Sequence, residues 1–515
     1  MRLHRHARKA AAVTAVVCAS SLVVANTQAV AADNPNATSK KFRKAVTPGG
    51  INLHLDEFQE IANANGGNRA SGSAGYAASK DYVVKTLRAA GYKPRVQTFD
   101  FDLFSEVTPS ELQRVSPSPK DYVPADDFYV MEYSGSGDVT AAVVPVDTDL
   151  SPSATSTSGC EASDFAGFTA GSIALVQRGT CPFGDKAANA EAAGAAAVVI
   201  FNRGTGEDTG SINGTLGATV GIPAVGTSYA VGQELGAAGT TARVFTDTDV
   251  TTETTYNVLA ETKKGNADRV VMAGAHLDSV PEGPGINDNG SGSATVLEMA
   301  EELAKVKKLK NQVRFGWWGA EESGLLGAEH YVTDLAANDR ATLEEIGAYL
   351  NFDMVGSPNY ARFVYDGDDS EGGATTEPPA GSGDIEQLFT DYFQGEGLAS
   401  EPTAFDGRSD YGPFILNGVP AGGLFTGAEG VKTAAQVRLY GGVRGVAYDP
   451  CYHQACDDRD NISNKALDEM SDAAAHALYV LAQNPGLMDE KVAKKVNAKA
   501  MARAFEKTQG DEAVR

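Results

Sequence analysis

Strand-like and helix-like patterns alternate from about residue 256 to residue 482, which predicts an α/β fold with a mostly parallel mixed sheet sandwiched by helices. Two further observations complete the expected architecture. Composition turns Ser/Thr-rich near Asp147 and further strand-like and helix-like segments follow, which marks a separate block of the chain, read below by resemblance as a β-rich insertion. At 515 residues the chain is also longer than one hydrophobic core usually fills, so two or three domains are expected. The expected division is a signal segment over 1–32, a flexible leader or propeptide over 33–47 and a first segment of the main domain over 48–135. The insertion follows over 136–250, then a second main-domain segment over 251–485 and a C-terminal tail over 486–515.

The amino end carries Arg2, Arg5, Arg8 and Lys9, then an apolar run to Val24, then small residues at Ala29-Val30-Ala31. This is the pattern of a secretory signal, and it places the mature chain outside the cell. A run of about 15 apolar residues is shorter than the roughly 20 that a spanning helix needs, so no membrane contact is expected after cleavage. The formal charge is −24, and the signal takes four basic residues with it. So acidic a surface repels phosphate, which excludes nucleic acid as a partner. Cys18 lies in the signal. The other four cysteines form two local pairs, Cys160 with Cys181 and Cys451 with Cys456, and an even count in an exported chain suggests two disulfides.

Residues 33–47 are polar and lack periodicity. Leu53, Phe58 and Ile61, then Tyr82, Val83 and Leu87, recur at helical spacing, and a strand is expected over 96–101. Within the insertion, strands are expected at 173–176 and 198–202, with an alanine-rich helix over 186–197. Further strands are expected at 269–275, 313–318, 348–352 and 420–425. Helices are expected at 293–306, 324–335, 384–393 and 465–482.

Only five histidines follow the signal, and two keep unusual company. His276 closes an apolar strand with Asp278 two residues on, and Asp288 lies in the loop Gly285-Ile286-Asn287-Asp288-Asn289-Gly290. The next strands end in Glu321-Glu322 and in Asp353, so acids fall just past strand ends, where ligands of such folds bind. His453 sits between Cys451 and Cys456. Two histidines and three carboxylates suit zinc. If one carboxylate bridges, each of two ions receives one histidine and two carboxylates, and ions about 3.5–4 Å apart polarise a carbonyl and share a hydroxide at neutral pH. His330 and His476 are expected to be structural, and Trp317 and Trp318 to pack in the core. The glycine-rich loop at 285–292 lacks the Lys-Ser/Thr ending of a nucleotide loop. Asp457, Asp458 and Asp460 are expected on a solvated face, with a calcium site as the alternative.

The insertion resembles the protease-associated domain, on the run Arg178-Gly179-Thr180-Cys181-Pro182-Phe183, the following Ala-Gly-Ala and the strand at Ile222-Pro223-Ala224-Val225. The remainder resembles the secreted bacterial leucine aminopeptidases of the di-zinc exopeptidase family, which also contains glutamate carboxypeptidase and the transferrin receptor. Asn65-Gly66-Gly67-Asn68-Arg69 and the His276, Asp288, Glu321-Glu322, Asp353 and His453 motifs carry that likeness. The resemblance implies His276 and Asp353 on one zinc, Glu322 and His453 on the other, and Asp288 bridging both. It implies Glu321 as general base, Tyr452 as support for the oxyanion, and Asp278 as the carboxylate behind His276. Arg408 would bind a substrate or product carboxylate, and Met354, Phe414 and Phe425 would wall an apolar pocket.

The expected activity is zinc-dependent removal of leucine-like residues from the free amino end of peptides or proteins, by a monomer. A carboxypeptidase and a receptor-like binding protein are the alternatives. Glu321 and Asp353 can receive an ammonium group and only Arg408 stands out as a basic partner, which favours the aminopeptidase.

Overall fold

The computed structural model describes residues 35–484 apart from residue 207. The expected signal segment and the tail from residue 486 lie outside the described residues. Among those described, no helix is long and apolar enough to cross a membrane.

The main sheet is built around four parallel strands, in the spatial order Ala421–Phe425, Ile346–Phe352, Asn266–His276 and Asn311–Trp318. The strand Thr241–Glu261 adds antiparallel to Asn311–Trp318, and Phe363–Tyr365 adds antiparallel to Ala421–Phe425. Central strands bury both faces, so side chains alternate between two cores. Val271, Ala273, Val313, Phe315 and Leu350 face one core, while Met272, Trp318 and Tyr349 face the other. The first core is covered by the helices Pro48–Ala64, Ala74–Ala89, Gly292–Ala304, Ser382–Gly395 and Asn464–Gln483. The second is covered by Leu326–Asn338 and Tyr411–Leu416. Their starts follow ordinary capping chemistry. The hydroxyls of Thr47, Ser73 and Ser463 accept the orphan N–H groups of Gly50, Tyr76 and Ala466.

The stretch expected to be a flexible leader is corrected by the structure, because Pro35–Arg43 is a helix. Phe42 and Val46 enter the first core, and Arg43 pairs with Glu396 and Asp472 at 3.2 and 3.1 Å. Ser39 Oγ also meets Nδ1 of His476 at 2.8 Å. Polar contacts at long sequence separation add to this docking and leave no apolar periodicity.

The strand Arg95–Ser116 pairs along almost its whole length with Thr241–Glu261, forming a long ribbon that leads out to the insertion. There Gly137–Pro145, Ile173–Gln177, Ala197–Phe201 and Ala224–Thr227 lie side by side in parallel. The first core position of this lobe comes earlier than expected. Leu112, Tyr122 and Phe128, assigned from sequence to the first main-domain segment, pack with Leu175, Val199 and Val225 of the insertion. The disulfide Cys160–Cys181 ties the lobe internally, and Cys451–Cys456 closes a loop beside the main sheet.

Candidate metal centre

Three neighbouring parallel strands deliver the chemistry to one sheet edge. His276 ends its strand opposite Trp318, Glu321 and Glu322 follow Trp318, and Asp353 follows Phe352. Asp288 enters from the loop after Gly285, and His453 from the loop closed by Cys451–Cys456. The five expected ligands converge. His276 Nε2 lies 3.3 Å from Asp288 Oδ1 and 3.3 Å from Asp353 Oδ1. His453 Nε2 lies 3.2 Å from Asp288 Oδ2 and 3.2 Å from Glu322 Oε2. The single carboxylate of Asp288 therefore faces both rings. Glu321 stands beside this set, with Oε2 3.9 Å from His276 Nε2.

The donor set fits divalent cations. Ligands held by bonds of about 2.0 Å around a tetrahedral ion are spaced about 3.3 Å apart, which matches the edges observed. Asp353 Oδ1 and Glu322 Oε1 are buried with no hydrogen-bond partner, as oxygens reserved for a cation would be. The electrostatics agree. Burial opposes a proton on either ring, yet the surrounding carboxylates dominate, raising His276 well above its ordinary value and pushing His453 up to about 10. Burial raises Glu321 and Glu322, whereas in Asp288 the two histidines outweigh burial and hold the carboxyl low. So many buried acids beside two rings call for added positive charge.

Behind these groups is a buried polar frame that positions them. Asp457 accepts the backbone N–H groups of Asn287 and Asp288 at 2.8 and 2.9 Å, and Asn287 Nδ2 donates to Asp449 at 2.6 Å. Asn289 Nδ2 donates to the carbonyl of Phe352 at 2.9 Å, while its Oδ1 accepts from Gly292 and Met354. Arg69, fully buried, donates to the carbonyls of Leu277, Pro284 and Gly285 and so spans the whole loop. Asp457 is thus not on a solvated face, which corrects that expectation. Among the described residues, no convergent group of three acidic, histidine or cysteine side chains includes Asp457, Asp458 or Asp460.

Asp278 does more than the sequence implied. Its carboxylate lies 3.6 Å from His276 Nδ1, the ring contacts its backbone carbonyl at 3.2 Å, and the same carboxylate accepts the N–H groups of Glu321 and Glu322. Asp410 went unnoticed in the sequence. It is fully buried near the centre, neither oxygen has a hydrogen-bond partner, and burial followed by the nearby acids raises its carboxyl well above the usual range.

Arg408 is engaged rather than open. Its guanidinium donates to Glu429 at 2.8 Å and to the Tyr452 hydroxyl at 3.3 Å. Tyr452 in turn stacks on His453, with ring centroids 3.8 Å apart. Of the expected pocket walls, Phe414 is corrected: it is fully buried and stacks on Tyr349 at 3.7 Å, inside the second core. Met354 is buried beside the Asn289 loop, with a left-handed φ of 52°. Phe425 is partly buried against Phe363. His330 stacks on Phe99 and both tryptophans are buried, as expected.

Residues 257–478 match the model of peptidase family M28, and residues 139–235 match the PA domain. An aminopeptidase of Pseudomonas aeruginosa is 50% identical over 456 residues, which span 88% of this chain and 84% of that protein. The chain belongs to peptidase family M28. Leucine aminopeptidase 2 of Arthroderma otae is 42% identical over 420 residues, covering 80% of each chain. Among solved structures, a zinc aminopeptidase from Bacillus subtilis aligns with a TM-score of 0.57 and 26% identity, over 87% of this chain and 97% of its own. This M28 chain is a metallo-aminopeptidase, and the expected mixed sheet with an inserted PA domain is its fold. The carboxypeptidase and receptor-like alternatives find no support in these relatives.

Proposed function

We propose that the chain is a secreted enzyme holding two zinc ions, which removes leucine-like residues from the free amino ends of peptides. One observation carries the two-ion reading: the two oxygens of Asp288 face different histidines at 3.3 and 3.2 Å. His276 and Asp353 would hold one ion with Asp288, and Glu322 and His453 the other. When bound, zinc polarises the scissile carbonyl and makes a water acidic enough to attack near neutral pH.

The chain's own groups then move the protons. Glu321 has high proton affinity because it is buried among other acids. It takes a proton from the attacking water and delivers it to the leaving amine as the C–N bond breaks. Burial also raises the Tyr452 phenol, so its hydroxyl stays protonated and can donate to the carbonyl oxygen as negative charge develops. Arg408 donates to that hydroxyl at 3.3 Å, which supports a role in positioning Tyr452. Glu321 and Asp353 give the free ammonium group an acidic surrounding.

The leucine-like preference rests on likeness to leucine aminopeptidases, with Met354 and Phe425 as the remaining candidate walls. Export is supported by the signal-like amino end and by the two disulfides.

Leucine p-nitroanilide and its N-acetylated form, assayed with dialysed and zinc-reloaded enzyme, test this reading. Chelation should abolish turnover, two equivalents of zinc should restore it, and the acetylated substrate should resist cleavage. Full turnover in metal-free enzyme, or equal cleavage of the blocked substrate, overturns it.

A further inference from the structure

Away from the catalytic centre, and sharing no residue with it, a second set of metal-type ligands joins two helices. His54 lies on Pro48–Ala64, and Glu298 and Glu301 lie one turn apart on Gly292–Ala304. His54 is 5% exposed and Glu298 7%, so the set is enclosed, with Glu301 at its more open side. His54 Nε2 stands 3.7 Å from Glu298 Oε2 and 3.2 Å from Glu301 Oε2. The 3.2 Å separation equals the His453 edges of the catalytic centre, and the 3.7 Å one is longer.

The ring is set for coordination. Nδ1 contacts the Tyr82 hydroxyl at 2.6 Å, and when Nδ1–H donates to that oxygen the Nε2 lone pair is left for a metal. Nε2 is buried and forms no hydrogen bond, although two carboxylates lie in front of it. Two carboxylates facing Nε2 favour a positive charge there, either a proton on the ring or a cation held between the three groups. The backbone makes room for the set. A Cβ at Gly50 would lie 2.1 Å from Glu298 Oε1, so only glycine lets the carboxylate reach this position.

We infer that His54, Glu298 and Glu301 form a further site for a divalent cation of borderline hardness, zinc foremost, with water completing the coordination on the Glu301 side. One imidazole and two carboxylates is a zinc-type donor set. Its role is structural. The helix Gly292–Ala304 continues directly from the Asp288 loop, and Pro48–Ala64 carries Phe58, whose ring packs 5.0 Å from the Arg69 guanidinium that spans the same loop. An ion here clamps the first segment of the chain to the element that aims Asp288.

The test compares wild type with His54→Ala and Glu301→Gln, each loaded with zinc chloride and then dialysed. Zinc per chain is measured by plasma mass spectrometry, and anomalous scattering locates the ions in wild-type crystals. Each variant should hold one equivalent less than wild type while still cleaving leucine p-nitroanilide, and wild type should show an anomalous peak between the three side chains. Equal zinc content in all three proteins with no peak there would reduce the cluster to a buried ion pair. Because the readout is a difference of one, it stands apart from whether the catalytic centre holds one ion or two. Glu301→Gln, on the more exposed side, keeps the test decisive if His54→Ala fails to fold.

Discussion

Ser409 Oγ donates a 2.5 Å hydrogen bond to Asp353 Oδ2, while Asp353 Oδ1, the oxygen facing His276, is left without a protein donor. Asn351 Nδ2 donates to Ser409 at 2.8 Å and fixes the hydroxyl in turn. The two oxygens of one carboxylate are thereby divided between protein and metal. Partners behind a metal ligand commonly contribute 10–100-fold in affinity. Ser409→Ala should therefore weaken zinc binding by about tenfold or more, read by competition with a chelating dye, with little change in the folded state by circular dichroism. Unchanged zinc affinity would show that Asp353 is held by its strand alone.

Adjacent glutamates should behave differently when replaced. Glu322 Oε2 touches His453 at 3.2 Å and its other oxygen is buried and unbonded, whereas Glu321 stands 3.9 Å from the nearest histidine nitrogen. Glu321→Ala should keep its zinc and lose turnover by roughly two to four orders of magnitude, the usual range for a general base. Glu322→Ala should lose zinc. The metal content of the two variants, measured beside kcat, decides the assignment, and equal zinc loss in both would reverse it.

The sequence reading located the strand ends well, because an apolar strand followed at once by an acid or histidine is a local signal. His276, Glu321, Glu322 and Asp353 all follow that rule. What holds them was harder to read. Arg69 reaches the metal loop across 208 to 216 positions of sequence, and Asp457 caps the Asn287 and Asp288 amides from 170 and 169 positions away. Polar contacts at such separation leave no periodicity. Phe414 was misplaced for a related reason. It sits on a short helix after the motif holding Arg408, and sequence position cannot tell a pocket wall from a residue turned into the second core.

The disulfide Cys451–Cys456 should serve catalysis more than global stability. Stabilisation by loop closure grows with loop length, and this loop encloses only four residues. Within it His453 adopts a φ of 56°, a left-handed conformation that costs a non-glycine residue roughly 1–2 kcal/mol. The cross-link helps hold that conformation, and with it the Tyr452 and His453 rings. Cys451→Ser combined with Cys456→Ser should lower kcat and zinc affinity while barely moving the melting temperature of zinc-loaded enzyme. A large melting shift with unchanged kcat would contradict this.

Docking of the Pro35–Arg43 helix should make the fold acid-sensitive through His476. The ring is fully buried, Nε2 has no hydrogen-bond partner, and burial, helped by the Arg43 charge, lowers its pKa from 6.5 to about 4. Above pH 6.5 the ring is neutral in folded and unfolded chains alike, so it adds no pH dependence. As pH falls from 6.5 towards 4, the unfolded chain takes up a proton that the folded chain refuses, and stability drops. The loss flattens below about pH 4 and totals on the order of 3 kcal/mol at most. His476→Gln removes the titrating group. Its urea midpoint should therefore fall less than that of wild type between pH 7.5 and 5, with zinc release at low pH common to both proteins. Trypsin cleavage at Lys40, Lys41 and Arg43, measured over the same range, reports whether the helix undocks. Parallel pH profiles for the two proteins would show that folding does not lower the proton affinity of His476, and would overturn this prediction.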